Sequence, residues 1–316
     1  MNTTALRKEP AVTGFTLKLL AIITMVIDHV GASIILHHPD VSYPDSAIYH
    51  LYWVMRIIGR LSMPIFLFLI IEGIQHTSNK FKYGLRLLIF ALISEVPYDL
   101  CFHNSIFYNK DQNVMFTLCI CVIVLSLYVN ITNLDINSKY DSLIKVCYLI
   151  IPNFYFAYKI ADYIQTESHI GLDFYFLYAI TWICCEIASF TLMNRYSIRY
   201  GNTAAIKACL DILVLFLGMG VADLGHTDYS SNAILTVSVM YIFRANSFYK
   251  ALSSCLILAA LSSPLELANF CMLPIILRYD GHRGPSHQRY LYLVYPLHVT
   301  IIYIIMCITG MVQCAL

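Results

Sequence analysis

The amino-acid sequence predicts an all-α fold, a polytopic bundle of about nine to eleven transmembrane helices. Of its 316 residues, 59% are hydrophobic and only 12% are charged, whereas soluble domains carry about 25% charged residues. Apolar runs recur with the length of about 20 residues that a helix needs to cross the hydrocarbon core. Since no alternating pattern typical of barrel strands is present, helices are the expected way to pair the backbone inside lipid.

Eight apolar runs are long enough for a full crossing. The stretch 231–278 differs, because it holds three apolar pieces of about 13–14 residues separated by RANSFYK and SSPLE. Short tilted helices and a re-entrant pair both fit such pieces. No Gly/Ser/Pro-rich linker divides the chain, so residues 1–316 are predicted to form a single integral membrane domain. The eight long runs occupy 15–36, 51–74, 83–102, 113–131, 143–163, 170–192, 205–222 and 291–312.

The charges between the spans predict an orientation. Basic residues fall in every second loop, and the positive-inside rule assigns those loops to the cytoplasm. Arg7 and Lys8 precede the first span, so the N-terminus is predicted to be cytoplasmic, and an odd number of spans puts the C-terminus outside. The basic residues of these loops are Lys80, Lys82, Lys139, Arg195, Arg199, Arg244, Lys250, Arg278, Arg283 and Arg289.

Two function classes lack support in the composition. The net charge of +1 gives no electrostatic basis for binding nucleic acid. The eleven cysteines lie scattered in apolar runs without ligand spacing, so neither a metal site nor disulfides are expected. No Gly-rich phosphate loop, GxSxG elbow or HExxH helix occurs in the sequence, which leaves soluble-type nucleotide and zinc chemistry without a motif.

Polar residues cluster in the predicted outer half of the first five spans. The first span contains an Asp28–His29 pair in TMVIDHVGA, although a charge near the bilayer centre costs roughly 2.5–3.5 kcal/mol. Adjacent helical residues point about 100° apart, so each of the two needs a partner from another helix. An ion pair of Arg56 with Glu95 or Asp99 is a purely structural alternative. The other residues of this cluster are Arg60, Gln112, Asn113 and Asp162.

A second polar cluster lies at the predicted cytoplasmic side. Its basic members suit phosphate groups. His298, at the start of the last span, is equally well explained by packing or hydrogen bonding at the interface. The members of this cluster are Glu72, His76, Lys82, Arg86, Arg278, Asp280, Arg283, Tyr295 and His298.

These groups suit two different activities. A buried histidine can act as a base, and arginines can bind a phosphate or stabilise an oxyanion, which fits acyl transfer from a thioester to an amine or hydroxyl. A proton-coupled small-molecule transporter, with Asp28, His29, Glu95 and Asp99 as the relay, fits the same residues. A non-catalytic membrane scaffold for pilus or envelope assembly is a third alternative.

Several blocks in order resemble the TraX family of integral membrane proteins. They are LKLLAIITMVIDHVGA, MRIIGRLSMPIFLFLIIEGIQHT, YGLRLLIFALISEVPYDL, QNVMFTL, IADYI with Gly171 following, YDGHRG and YPLHVTIIYII. The resemblance implies an acetyltransferase, since the founding activity of the family is acetylation of the N-terminal amine of a conjugative pilin subunit. The family is also distantly similar to membrane acyltransferases that pass acetyl groups from cytoplasmic acetyl-CoA to sugars.

The resemblance also implies roles for individual residues. Acetyl-CoA is the expected donor, with no metal, and the acceptor is an envelope component such as a pilin-like N-terminus or a glycan. The expected location is the lipid bilayer of a bacterial cytoplasmic membrane. The predicted catalytic residues are His29 as base, Asp28, Arg60, Glu95 and Asp99. The residues predicted to bind the donor are Arg56, Lys82, Arg86, Arg278, Arg283, Tyr295 and His298. Further polar residues of the site are Glu72, His76, Gln112, Asn113, Asp162 and Asp280.

Overall fold

The structure is a computed structural model that describes residues 12–136, 138–167, 173–285 and 290–312. Arg7, Lys8, Gly171 and Arg289, which entered the predictions above, lie outside the described residues. The described part is helical, with two isolated parallel β-bridges, Val12–Tyr279 and Gln112–Thr227. Its α-helices are α1 (Gly14–Val30), α2 (Ala47–Arg60), α3 (Ser62–His76), α4 (Lys80–His103), α5 (Val114–Thr132), α6 (Asp141–Glu167), α7 (Phe174–Tyr200), α8 (Asn202–Leu224), α9 (Ser230–Ile242), α10 (Ser247–Leu261), α11 (Leu273–Leu277) and α12 (Leu291–Ile308).

Seven helical segments of the described residues are long and apolar enough to cross a membrane. Helix α4, with 24 residues, occupies the predicted span 83–102. The three short apolar pieces predicted in 231–278 are α9, α10 and the Pro264–Leu277 segment. The predicted all-α polytopic fold is therefore confirmed, and it fits a multi-pass membrane protein. The count of nine to eleven crossings and the orientation of the termini stay predictions.

Local sequence explains how the helices near the site begin and break. The Ser46 hydroxyl accepts a 3.0 Å bond from the backbone N–H of Tyr49 and so caps α2. The α2–α3 segment breaks at Leu61 because Pro64 has no N–H to donate to the carbonyl four residues earlier, at Arg60. Because of this break, Arg60 is the last residue of α2.

A π-helical turn follows α1, over Gly31–Ile35. The backbone N–H of Leu36 bonds the carbonyl of Gly31, five residues earlier, at 3.1 Å. The Ser33 hydroxyl donates a 2.5 Å bond to the carbonyl of His29. Single π-turns inside helices frequently mark functional sites, and this one begins two residues after His29.

The chain divides into two compact units, Met1–Ile123 with Ala222–Leu316 and Val124–Val221. In the first unit, α1 packs against α2, α3 and α12, and α4 packs against α12. A buried cluster that includes Leu100 and Val299 joins α4 to α12. In the second unit, α6 packs along α7 around Tyr148 and Met193. The single membrane domain expected from the sequence stays a prediction.

Residues 278–284, which we call the 278–284 loop, bind the chain that enters α1. The N–H of Val12 donates to the carbonyl of Arg278 at 3.1 Å, and the N–H of Asp280 donates to the carbonyl of Val12 at 3.1 Å. Phe15 donates to the carbonyl of Arg283 at 3.0 Å. Gly284 has a φ of +80°, a conformation that glycine adopts without strain. The loop thereby holds Arg283 beside the first turn of α1.

Candidate functional site

His29 contacts His298 inside the first unit. The His29 Nδ1 atom lies 2.7 Å from the His298 Nε2 atom, and the planes of the two rings are 20° apart with their centroids separated by 4.9 Å. Phe102 and Tyr295 approach the His29 ring edge-on, at 5.2 and 6.1 Å between centroids. His298 is buried, and its Nδ1 atom lies 2.8 Å from the carbonyl oxygen of Val294. The structure therefore joins two predicted site residues that were assigned to opposite sides of the membrane.

Asp28 faces a different helix from His29. Its Oδ2 atom lies 2.8 Å from Nη1 of Arg56 on α2. The neighbouring Gly59 makes this approach possible, since a Cβ atom there would lie 2.2 Å from the Asp28 Cβ. Arg56 thus pairs with Asp28 and not with Glu95 or Asp99, the ion pair that the sequence offered as an alternative.

Arg60 belongs to a buried polar cluster that sequence reasoning missed. Its Nη1 atom lies 3.3 Å from Oε1 of Glu266 and 3.3 Å from the Tyr229 hydroxyl, and that hydroxyl lies 3.2 Å from the same Oε1. Asn269 donates a 2.6 Å bond to the other oxygen of Glu266. Glu266 is fully buried, so its charge needs these partners. In the sequence Glu266 stands in SSPLE, which looked like a break between apolar pieces.

Glu95 and Asp99 hold the connection between α4 and α5. Oε2 of Glu95 accepts bonds from the backbone N–H of Asn113, at 3.3 Å, and from its side-chain amide. Asn113 in turn accepts a 3.0 Å bond from the N–H of Met115 in the first turn of α5. Oδ2 of Asp99 accepts a 2.8 Å bond from the N–H of Tyr108. Each carboxylate therefore has a visible structural partner.

The structure shows backbone hydrogen bonds for two further predicted residues, Gln112 and Asp162. The backbone N–H of Gln112 donates a 2.9 Å bond to the carbonyl of His226, and the carbonyl of Gln112 accepts a 3.0 Å bond from the N–H of Asp228. Asp162 lies in α6, in the second unit, where the Thr166 hydroxyl donates to its carbonyl at 2.9 Å.

A cavity of about 810 Å³ lies within the first unit. Ligand pockets commonly have volumes of about 300–1,000 Å³. Lys18, Arg86 and Arg283 line this cavity, as do Glu72 and His76. Lys18 was not predicted as a site residue, because it stands only four residues inside an apolar helix.

The cavity follows one face of α1. Lys18, Ile22 and Met25 line it, and their spacing of four and three residues continues by four to His29, the next position on the same face. Tyr295, which also lines the cavity, approaches His29 edge-on. The cavity thus extends from a basic group to Met25 and Tyr295, and Tyr295 contacts the His29 ring.

Three other residues of the predicted cytoplasmic cluster, Lys82, Arg278 and Asp280, are not among the residues that line the large cavity. Lys82 lines a neighbouring cavity of about 330 Å³, which also includes Arg86. Arg278 lines neither cavity. Oδ1 of Asp280 accepts a 2.8 Å bond from the N–H of His282 within the 278–284 loop.

Glu72 has a buried partner that was predicted to be a loop residue. Lys250 lies in α10, and its Nζ atom is 2.5 Å from Oε1 of Glu72 and 4.3 Å from the centre of the Phe68 ring. Its side chain is 2% exposed. His76 Nε2 lies 3.8 Å from the other Glu72 oxygen. The assignment of Lys250 to a loop is therefore wrong, since α10 begins at Ser247, three residues before it. Its cytoplasmic side stays a prediction.

Comparisons with known proteins point to one family. A family model described as TraX protein matches residues 13–222 and 199–306. Among curated proteins, the probable fimbrial assembly protein FimC, serogroup H1, of Dichelobacter nodosus is 33% identical over 118 residues. That alignment covers 35% of this chain and 44% of the relative, so the chain matches less than half of the relative's length. No solved structure matches the chain.

Proposed function

The chain belongs to the TraX family, and from this premise we propose that it is an integral membrane acetyltransferase. It moves an acetyl group from cytoplasmic acetyl-CoA to an amine or hydroxyl of an envelope or secreted acceptor, with His29 as general base. The observation that carries the proposal is the cavity that begins at Lys18, Arg86 and Arg283 and follows one face of α1 towards His29.

The basic end of the cavity suits the phosphates of the donor. Lys18, Arg86 and Arg283 are three like charges that line the same cavity. The charge of Arg283 acts on Lys18. Phosphate oxygens between these groups would reduce their mutual repulsion and accept charge-assisted hydrogen bonds. The residues present therefore fit a polyanionic nucleotide end. The 278–284 loop supports this site, because it fixes Arg283 at the start of α1.

The length of the lined face also fits the donor. Lys18 and His29 are eleven positions apart on α1, which corresponds to about 16 Å at the helical rise of 1.5 Å per residue. An extended pantetheine arm has a length of this order. Ile22 and Met25 supply an apolar wall between the two ends. Phosphates at Lys18 would thus bring the thioester near His29.

The chemistry at His29 would proceed as a base-assisted acyl transfer. His29 takes a proton from the acceptor amine or hydroxyl, whose nitrogen or oxygen bonds to the acetyl carbonyl carbon. The carbon–sulfur bond of the thioester then breaks, and the proton on His29 passes to the departing CoA thiolate. Arg56 and Arg60 act electrostatically at His29, so their positive charge would favour the negative charge that develops on the carbonyl oxygen.

The acceptor is proposed from the relatives. The Dichelobacter nodosus relative is named a fimbrial assembly protein, which favours a pilin-like subunit or another envelope component over a cytoplasmic acceptor. A glycan hydroxyl satisfies the same chemistry. A mass increase of one acetyl group on an envelope component, present with the protein and absent without it, would identify the acceptor.

The first experiment measures thiol release from acetyl-CoA by the purified protein. We expect His29→Ala to lower the rate by about 10²- to 10⁴-fold, the usual contribution of a general base. His50→Ala is the matched control, because His50 is an exposed histidine on α2. Full activity of His29→Ala would refute the assignment of the base. Flux driven by a pH gradient without thioester consumption would instead support the transporter.

A second experiment tests the basic end of the cavity. Arg283→Ala is compared with wild type on acetyl-CoA and on acetyl-pantetheine, which lacks the nucleotide phosphates. The proposal predicts a higher KM for acetyl-CoA and an unchanged KM for acetyl-pantetheine. An equal change for both donors would mean that Arg283 acts through folding alone.

A further inference from the structure

We propose that His298 is a positioning residue that holds neutral His29 in a single tautomer, with its proton on Nδ1 and its lone pair on Nε2. In catalytic terms this inference rests on the proposed function, because it names the nitrogen that acts as base. Its structural content is independent of that function. Three groups lie in series: the carbonyl oxygen of Val294, the ring of His298 and the ring of His29.

The first contact fixes the proton on His298. The carbonyl oxygen of Val294 lies 2.8 Å from His298 Nδ1, and a carbonyl oxygen can only accept. His298 Nδ1 therefore carries a hydrogen and donates it. In a neutral imidazole the other nitrogen, Nε2, is then an acceptor.

The second contact passes this assignment to His29. His298 Nε2 lies 2.7 Å from His29 Nδ1, so His29 Nδ1 must be the donor of that bond. In the opposite arrangement His298 Nε2 would also carry a proton and donate it to His29 Nδ1, which would place a positive charge on the buried His298 ring beside Tyr295. The neutral pair is therefore the arrangement that satisfies both contacts, and it leaves His29 Nε2 as the nitrogen able to take a proton.

Packing keeps the His29 ring in this orientation. Phe102 and Tyr295 approach it edge-on, and Ser33 binds its backbone carbonyl from within the π-helical turn. Asp28 does not orient the ring, since its carboxylate pairs with Arg56 across the α1–α2 contact. The residue that orients the base is thus the histidine 269 positions later in the chain, and not its sequence neighbour.

Nitrogen NMR of the full-length protein, labelled with ¹⁵N-histidine, tests the tautomer directly. Signals of His29 are assigned by their loss in His29→Asn. The expected wild-type spectrum has a protonated Nδ1 and an unprotonated Nε2 on His29. A His29 ring protonated on Nε2 would overturn the inference. In His298→Phe, which keeps a planar aromatic ring but has no hydrogen-bond acceptor, both tautomers of His29 should appear.

Kinetics with acetyl-CoA provide the second readout. We expect His298→Phe to lower kcat by about 10- to 100-fold, the range found for groups that orient metal-binding histidines, with KM for acetyl-CoA unchanged. His298→Gln keeps an amide oxygen that can accept from His29 Nδ1, so it should retain more activity than His298→Phe. Thr300→Val is the control on the same helix, because the Thr300 hydroxyl bonds only to the carbonyl of Pro296 among the described contacts.

The two experiments separate the possible failures. Absence of any transferase activity in wild type would refute the proposed function, while the NMR spectrum would still decide the tautomer. Equal activities of His298→Gln and His298→Phe, with an unchanged His29 tautomer in both, would refute the positioning role even if the enzyme is active.

Discussion

Arg56 lies 2.8 Å from Asp28 across the contact between α1 and α2. Asp28 directly precedes His29 in the sequence. The pair explains why an aspartate can stand inside an apolar span, since a paired charge is less costly there than an isolated one. Asp28 therefore has the position of an anchor that fixes α1 against α2. His29 is left to make its own contacts on a different face of α1.

Removing one member of this pair should destabilise the protein more than removing both. Asp28→Asn leaves the Arg56 guanidinium without its partner in a partly buried site, whereas Asp28→Asn combined with Arg56→Gln leaves two neutral groups that can hydrogen-bond. We expect the double variant to regain part of the thermal stability lost in each single variant. Thermal unfolding of the four proteins in detergent measures the coupling. Additive losses would show that the pair does not stabilise the α1–α2 contact.

Gly59 should not tolerate a larger side chain. A Cβ atom there would lie 2.2 Å from the Asp28 Cβ, so Gly59→Ala must push α1 and α2 apart, at a cost of about 1–3 kcal/mol or more. Gly220→Ala is the matched control, because no described atom beyond its own helical backbone and chain neighbours lies within 4 Å of the added methyl group. That control should be neutral or slightly stabilising, since alanine favours helices. A Tm of Gly59→Ala equal to that of Gly220→Ala would contradict the observed approach.

Lys250 should prove essential for folding despite its place near a chain turn. Lys250→Met leaves Glu72 without its 2.5 Å partner, and breaking a buried ion pair typically costs about 3–5 kcal/mol. Adding Glu72→Gln to this variant should restore much of the loss. Lys139→Met, at an exposed position, serves as the control. The yield of monodisperse protein and its Tm report the outcome, and a wild-type Tm for Lys250→Met would disprove the pair.

The pH dependence of stability should depend on Asp228, in the turn between α8 and α9. Burial, and next the nearby Asp111 charge, raise the pKa of Asp228 to about 7, while Arg60 acts in the opposite direction. The folded protein then keeps a proton that the unfolded chain releases between about pH 4 and pH 7, so this group makes stability fall as pH rises through that window. The stabilising contribution is present at low pH and lost above pH 7.

Asp228→Asn removes this titration and keeps the size of the side chain. Relative to wild type, its Tm should therefore rise as the pH is increased from 5 to 8. The control is Asp45→Asn, an exposed carboxyl between α1 and α2, whose Tm difference from wild type should not change with pH. A constant Tm difference for Asp228→Asn as well would show that Asp228 does not titrate in this range.

The long helices were predictable because crossing a membrane requires a fixed length of apolar residues. Hydropathy located seven of the described segments and the helix α4, mostly within a few residues, although α7 continues to Tyr200, eight residues beyond the predicted end at 192. It failed at Lys250, because a window that averages hydropathy treats a buried, paired lysine as a loop charge. The break at Leu61 was also missed, although Pro64 stands in the middle of the predicted span 51–74, where a proline removes a backbone hydrogen bond.

The polar residues were recognisable as a set but not as pairs. Asp28 and His29 stood out because charges are rare in lipid, yet their partners come from α2 and from α12. Nothing local in the sequence links His29 to His298, which are 269 positions apart, because such contacts are created by tertiary packing. Glu266 escaped notice for the same reason, as its partner Arg60 lies 206 positions earlier.

The contact between the first and the last described helix has a consequence for biosynthesis. Ribosomes add about 5–20 residues per second, so roughly 13–54 s pass between the synthesis of His29 and that of His298. The 278–284 loop, which binds the start of α1, is also made late. During this interval the nascent chain lacks both the partner of His29 and Arg283. Under the proposed function, the unfinished protein is therefore inactive until its last described helix has been made.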